Sequence, residues 1–462
     1  MSEENFEQNL LVARYEEMVR KKSEYFFDSE EFEAVIDFYI DKNQLVTAKQ
    51  VADYAIRQHP FSALFPIRKA QLLSALNETQ EALEQLYKAE NLEPSNSELF
   101  MTRGGVYSQM GLSEKAIANF KRALDISEDK DQVYLNIAYE FENILKYSDA
   151  IFFLKKALSD NPGNESAIYE LAFCYELNGQ HEESVRFFTV FLDNNPYSSS
   201  AWFNLGVAYN RLGFFEKAID SYEFCLAIKE DFASAYFNKA NSYANLDMLD
   251  EAINTYKETF KYEDADATTY YYIGECYEKK EQFEAALNYY NRAIKLDPAL
   301  ADAWMGVGVV LELENRLVEG IHYVKKALEL EPGNAEYLYI FGDVQYKMGF
   351  LEEAELAYRK VIELSPEDIE IWLDCSSLLF EMERKEDALD LLTEGIKYHP
   401  DHAELNYRMS AYLLELGKKQ EAMGFLQNAL VLDYEKHNEL FEYLPQLKDN
   451  TSVVDLIESY RK

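Results

Sequence analysis

Cysteine and histidine are scarce, with four and six in 462 residues, and both are scattered. Cys174, Cys225, Cys276 and Cys375 have neither the density of a disulfide-stapled fold nor the close spacing of a zinc site. Each stands on or beside an interior position of the pattern described below, so they read as reduced core residues. His399 and His402 are three apart, but no Cys or further His stands near them to complete a metal set. His181 is followed by two glutamates without the second His of a zinc-protease helix. The phosphate loop GxxxxGK[ST] is missing, and so is the GxSxG elbow. Gly306 and Gly308 form GxG, with Leu311 where a third glycine would be needed. The expectation is a non-enzymatic protein with no catalytic residues, no metal and no cofactor.

Positive charge is also short. Lys plus Arg total 45 against 84 Asp plus Glu, a formal net charge of -39. Such a field repels phosphate backbones and anionic membrane surfaces, which excludes nucleic acid as the expected partner. It favours basic partners, or simply solubility. No apolar run approaches transmembrane length, and the start, MSEENFEQ, has no apolar signal core. A cytoplasmic protein without membrane insertion is expected. Nothing in the pattern specifies an oligomeric state.

Proline is sparse too, but it is placed. Eight of the ten prolines, Pro60, Pro94, Pro162, Pro196, Pro298, Pro332, Pro366 and Pro400, fall on one ladder of 34-residue steps. A fixed period of this length indicates stacked helical hairpins. With proline at position 32, repeats begin at 29, 63, 97, 131, 165, 199, 233, 267, 301, 335, 369 and 403. Position 20 is small throughout (Ala218, Ser184 and Gly320 span its range), and position 8 is Gly, Ala or Ser except for Ile36. Small residues there let two helices approach closely. Position 4 is large and includes Trp202, Trp304 and Trp372; position 11 is Tyr, Phe or Leu in nearly every repeat. Positions 4, 8 and 11 form one stripe of a helix, and positions 20, 24 and 27 form the stripe of a second. The break near position 15 carries Gly111, Gly179, Gly213, Gly349 and Gly417, with Asn43, Asn77 and Asn315, residues that tolerate the left-handed conformation. Proline at position 32 ends the second helix.

This pattern resembles the tetratricopeptide repeat family over roughly residues 29–436, and the sixth repeat, AWFNLGVAYNRLGFFEKAIDSYEFCLAIKED from Ala201, shows the family signature almost whole. Pro66, Gln345, Asn406 and Phe191 depart from it locally. The expected fold is all-α: a right-handed superhelical solenoid of about twelve helix-turn-helix repeats. Residues 1–28 read as an N-terminal capping helix and residues 437–462 as C-terminal capping helices, because a solenoid must cover an apolar face at each end. No Pro-, Gly- or Ser-rich linker interrupts the repeats, so one continuous superhelix is expected.

The resemblance implies that the first helix of each hairpin lines a concave face, where positions 5, 6, 9 and 12 meet a ligand. Rings gather there: Tyr169, Phe203, Phe237 and Tyr271 at position 5, and Tyr139 and Phe173 at position 9. These rings either pack against the neighbouring repeat or form an exposed track for an extended peptide. Asn136, Asn204 and Asn238 at position 6, with Asn241 at position 9, could hold a peptide backbone, as asparagine ladders do in some of these superhelices. Glu170 interrupts that ladder and Tyr272 ends it. Acids fill other groove positions, among them Glu142, Glu176 and Glu275. No repeat has Lys at position 5 or a basic residue at position 2, so the family's carboxylate clamp for chaperone tails is missing. The function expected is a protein-interaction scaffold or adaptor that binds partner proteins or extended peptides in the groove. The alternative is a client-holding chaperone for basic or aggregation-prone proteins.

Overall fold

The computed structural model describes residues 3–461, so residues 1, 2 and 462, at the outer ends of the two expected caps, lie outside it. Among the described residues there is no strand. Each repeat contributes two helices. The first runs over positions 1–13, as in Ser199–Arg211, and the second over positions 17–30, as in Phe215–Ile228. Helix Leu64–Ala75 starts one residue late, while Ser113–Leu124 and Leu249–Thr259 stop early, in repeats whose position 32 is not proline. Helix Glu3–Lys21 precedes the first repeat. After the last repeat come the short helix Glu439–Tyr443 and helix Thr451–Ser459.

By packing, the chain divides into two compact parts, residues 1–242 and 243–462. The division falls inside helix Ala233–Asn245 rather than in a linker. In the first part, one apolar core runs without interruption from Ala63 to Leu205.

Twelve reversals of the same kind set the period. Position 15 has positive φ in all twelve repeats, and position 16 donates its backbone N–H to the carbonyl of position 11 at 2.7–3.0 Å in each. This is the Schellman closure, which satisfies carbonyls left over at a helix end. Five of these residues are Gly and three Asn, as the sequence suggests. The other four are Leu145, Asp247, Glu281 and Glu383, with φ between 56° and 61°. A β-carbon in that conformation costs about 1–2 kcal/mol, so packing on either side imposes the turn.

Position 8 meets the side chain at position 24 across the hairpin. A β-carbon on Gly206 would lie 2.5 Å from the Tyr222 ring, and one on Gly104 would lie 2.3 Å from Phe120. Gly274 and Gly342 stand in the same relation to Tyr290 and Tyr358. The first repeat inverts the pair: Ile36 is large and Ala52 is small, and both are buried. Position 34 caps the next helix. Asn96, Asn164, Ser198, Asp266, Asn334 and Asp368 each accept a backbone N–H from its first turn. The three tryptophans tie adjacent repeats, their indole N–H groups donating to the carbonyls of Pro196, Pro298 and Pro366 at 2.9–3.0 Å. His399 reaches the same Pro366 carbonyl at 2.8 Å, which is a boundary role.

The strained turns can be tested directly. Leu145 is 71% exposed, so glycine there removes strain and gives up little burial. Leu145→Gly, Glu281→Gly and Glu383→Gly are each expected to raise stability by up to about 1 kcal/mol in urea unfolding, net of the extra freedom glycine gains when unfolded. Gly213→Val, by contrast, is expected to lower it by a similar amount.

Candidate functional site

The groove residues expected from the sequence separate into distinct environments. Position 5 is buried in five of the twelve repeats, at Ile67, Leu135, Met305, Leu373 and Tyr407. In the second part of the chain, Tyr271 packs against Tyr272 and Tyr290, and Glu275 pairs with Lys279 on its own helix at 2.9 Å. Both are therefore engaged within 243–462. There the packing alternative for the ring stripe holds.

Between residues 165 and 211 the rings reach solvent. Tyr169 is 39% and Phe173 50% exposed. They sit four apart on helix Glu165–Leu177, which puts both on one face. Across from them, helix Ser199–Arg211 supplies Phe203, Asn204 and Val207, and the two helices enclose a hollow of about 230 Å³. Phe203 forms the floor, held by a stacked Phe232 at 4.9 Å and by Tyr222 at 5.9 Å. One end is closed by Glu176, which binds Arg211 at 2.8 Å and His181 at 3.3 Å. The geometry thus brings together four candidates, Tyr169, Phe173, Phe203 and Asn204. A larger hollow of about 430 Å³ lies at the inter-repeat loops around Pro162 and Tyr197, away from this face.

The asparagines are placed differently from a free ladder. Asn204 is buried and donates to Ser200 O at 2.8 Å; Asn238 donates to Ser234 O at 2.9 Å. Their amide hydrogens point back along their own helices. Asn136 accepts from Gln132 at 3.2 Å. Phe237 and Asn241 are half-buried.

Glu170, read in the sequence as an interruption, is part of a second feature. It takes hydrogen bonds from the Tyr139 hydroxyl and from the Glu142 carboxyl of the preceding repeat. Cys174 donates its thiol to the other side of Glu142 at 3.2 Å. Burial holds Glu142 up to about 7 and holds Glu170 and Tyr139 above their ordinary values. Glu142 is therefore the proton donor of a carboxyl pair near neutral pH. Among the described residues no Lys, Arg or His pairs with either carboxyl, whereas Glu176, Glu312 and Asp343 on equivalent faces each have a cation. Position 12 of one repeat most often meets position 13 of the next, as Glu176 meets Arg211, but Glu142 turns instead to positions 6 and 10, and position 10 is also met elsewhere. Asn210 and Ser242 repeat that contact at 2.8 Å.

Two features bear on other chemistries. Among the described residues no three His, Cys, Asp or Glu side chains are placed to hold a metal ion. Nor, among them, is any helix long and apolar enough to cross a membrane.

The carboxyl pair makes a prediction about pH. A carboxyl raised above its unfolded value keeps a proton that the unfolded chain has released. Glu142 therefore contributes stability below about 4.5 and loses it as pH rises to about 7. Glu142→Gln is expected to flatten the stability profile across that window and to raise the melting temperature at pH 8. Superimposable urea-unfolding profiles from the two proteins across that window would remove the shift.

Family models agree with this architecture. Models of the tetratricopeptide repeat match residues 97–130, 233–265, 267–300, 335–368 and 376–433. A model of the anaphase-promoting complex, cyclosome, subunit 3 matches residues 143–225. No curated protein matches. Among solved structures, the APC/C hetero-tetramer Cut9–Hcn1 is similar at 15% identity, over 89% of this chain and 97% of that one, with a TM-score of 0.44. YrrB, described as a tetratricopeptide protein with an unusual peptide-binding site, is 23% identical over 43% of this chain and 97% of its own, with a TM-score of 0.33. The C-terminal part of a repeat-containing protein from Cytophaga hutchinsonii is 20% identical over 52% of this chain and 99% of its own, with a TM-score of 0.43. With the 34-residue hairpins and their helix-closing turns already in view, the five stretches matched by the repeat's own models identify the chain as a tetratricopeptide repeat protein.

Proposed function

We propose that this protein is an interaction scaffold that takes an extended segment of a partner protein along the first-helix face of residues 131–242. One observation carries this reading. Tyr169 and Phe173 keep 39% and 50% of their surface open beside a preformed hollow, and the Tyr169 hydroxyl is steadied by Ser200 of the next repeat. Rigid aromatic side chains supply contact area at little entropic cost. The tetratricopeptide fold is generally a non-enzymatic interaction fold, and the chain carries protein or peptide partners as its expected ligands.

The net charge of -39 favours a basic partner. Four buried, unpaired thiols suit a reducing, cytoplasmic setting. A client-holding chaperone would use the same face without sequence preference.

Peptide-display selection on the intact protein separates these readings. A defined motif enriched on the wild type is expected. Tyr169→Ala and Phe173→Glu should weaken the selected peptide about tenfold or more; the melting temperature should hold for Phe173→Glu and fall for Tyr169→Ala, whose ring is mostly covered and bonds Ser200. Binding without any consensus would favour the chaperone reading. Binding untouched by both substitutions would move the site off this face.

A further inference from the structure

The hollow between helices Glu165–Leu177 and Ser199–Arg211 is continuous in chemistry with the carboxyl pair one repeat earlier. Glu170 stands three residues from Phe173 on the same helix, so the acid and that ring are neighbours on its surface. Glu142 reaches Glu170 from helix Asp131–Asn143. The surrounding charges are engaged elsewhere. Lys121 lies over the Phe141 and Phe153 rings, Lys156 over Phe152, and Lys155 over Tyr175 and Phe187. Arg211 and His181 are held by Glu176. Tyr139 and Cys174, the two titratable groups touching the pair, are hydrogen-bond donors and neutralise nothing.

This leaves two acids sharing one proton beside an open aromatic hollow. In the second part of the chain, position 6 also carries an acid, Asp374. It receives the Tyr339 hydroxyl at 2.8 Å and feels the positive charge of Arg408. The Glu142–Glu170 pair has the hydroxyl and lacks the cation. A cation from outside supplies what is missing. As it docks, the shared proton leaves to solvent, and the two carboxylates then face one ammonium or guanidinium group.

We infer that this groove selects a segment carrying Lys or Arg for Glu142 and Glu170 and a bulky apolar side chain for the Tyr169–Phe173–Phe203 hollow, with binding coupled to release of a proton. This rests on the groove reading above and specifies its occupant. Neighbouring helices pack about 8–10 Å apart and an extended chain advances about 3.3 Å per residue, so the two side chains stand about three residues apart.

The probes are two labelled decapeptides, Gly-Ser-Gly-Lys-Ala-Ala-Phe-Gly-Ser-Gly and its reverse, each with a version carrying norleucine in place of Lys. The full-length protein is titrated by fluorescence anisotropy at pH 7. For the tighter orientation, norleucine is expected to weaken binding about tenfold, as loss of a charge-assisted hydrogen bond does. Glu142→Gln with Glu170→Gln should bring the Lys peptide down to the norleucine level and leave the norleucine peptide unchanged. Calorimetry in phosphate and in Tris at pH 7 should read about half a proton released per Lys peptide, because Glu142 is about half protonated there, and none for norleucine, since linked protons appear as a buffer-dependent heat. Equal binding of Lys and norleucine peptides overturns the inference. If Phe173→Glu still abolishes both, the groove itself stands. Binding by none of the peptides overturns this occupant, while the display selection judges the groove independently.

Discussion

The whole architecture depends on one backbone reversal made twelve times. Position 15 turns left-handed, the N–H of position 16 closes back on the carbonyl of position 11, and the second helix then begins at position 17 without exception. Fixing that turn fixes which faces of the two helices meet. Position 8 then falls opposite position 24, where there is room for one large side chain and not two. Gly206 with Tyr222 and Ile36 with Ala52 are opposite solutions to the same volume constraint. The first helices are consequently laid side by side with positions 6, 9 and 12 facing adjoining repeats, and the groove chemistry follows from that register.

The period, the helices and the close-packed positions were legible because each is a repeated answer to a local problem. Twelve copies average out individual departures. Leu145, Asp247, Glu281 and Glu383 were not legible as turn residues, since nothing in a Leu or a Glu signals positive φ. They are recognisable only through the frame that the glycines establish. The caps at position 34 could have been read from Asn, Ser and Asp before each first helix, a local signal overshadowed by the prolines.

The groove was less legible, because a side chain's use depends on neighbours 34 residues away. Tyr407 and Tyr169 hold the same position; the first is fully buried and bonds Asp433 O, while the second is exposed. Asn204 fits a ladder by type and spacing, yet its amide satisfies a carbonyl one turn back. A helical asparagine has that partner always within reach, so spacing alone cannot separate a ligand-binding asparagine from a self-satisfied one.

Charge then discriminates among sites that shape leaves equivalent. With 84 acids against 45 bases, cations are the limiting reagent, and their placement decides which acids remain reactive toward a partner. Arg211 is spent on Glu176, Lys279 on Glu275, and Lys347 on Glu312 and Asp343. Where a cation is present, the acid serves the stack. At Glu142 and Glu170 none is present, and the pair avoids double ionisation by keeping a proton. A proton held this way is a replaceable counter-charge: it relieves the empty groove below about pH 7 and gives way to rising pH or to a docking cation. The same residue that breaks the asparagine pattern in the sequence therefore gives this stretch of the groove its chemical preference.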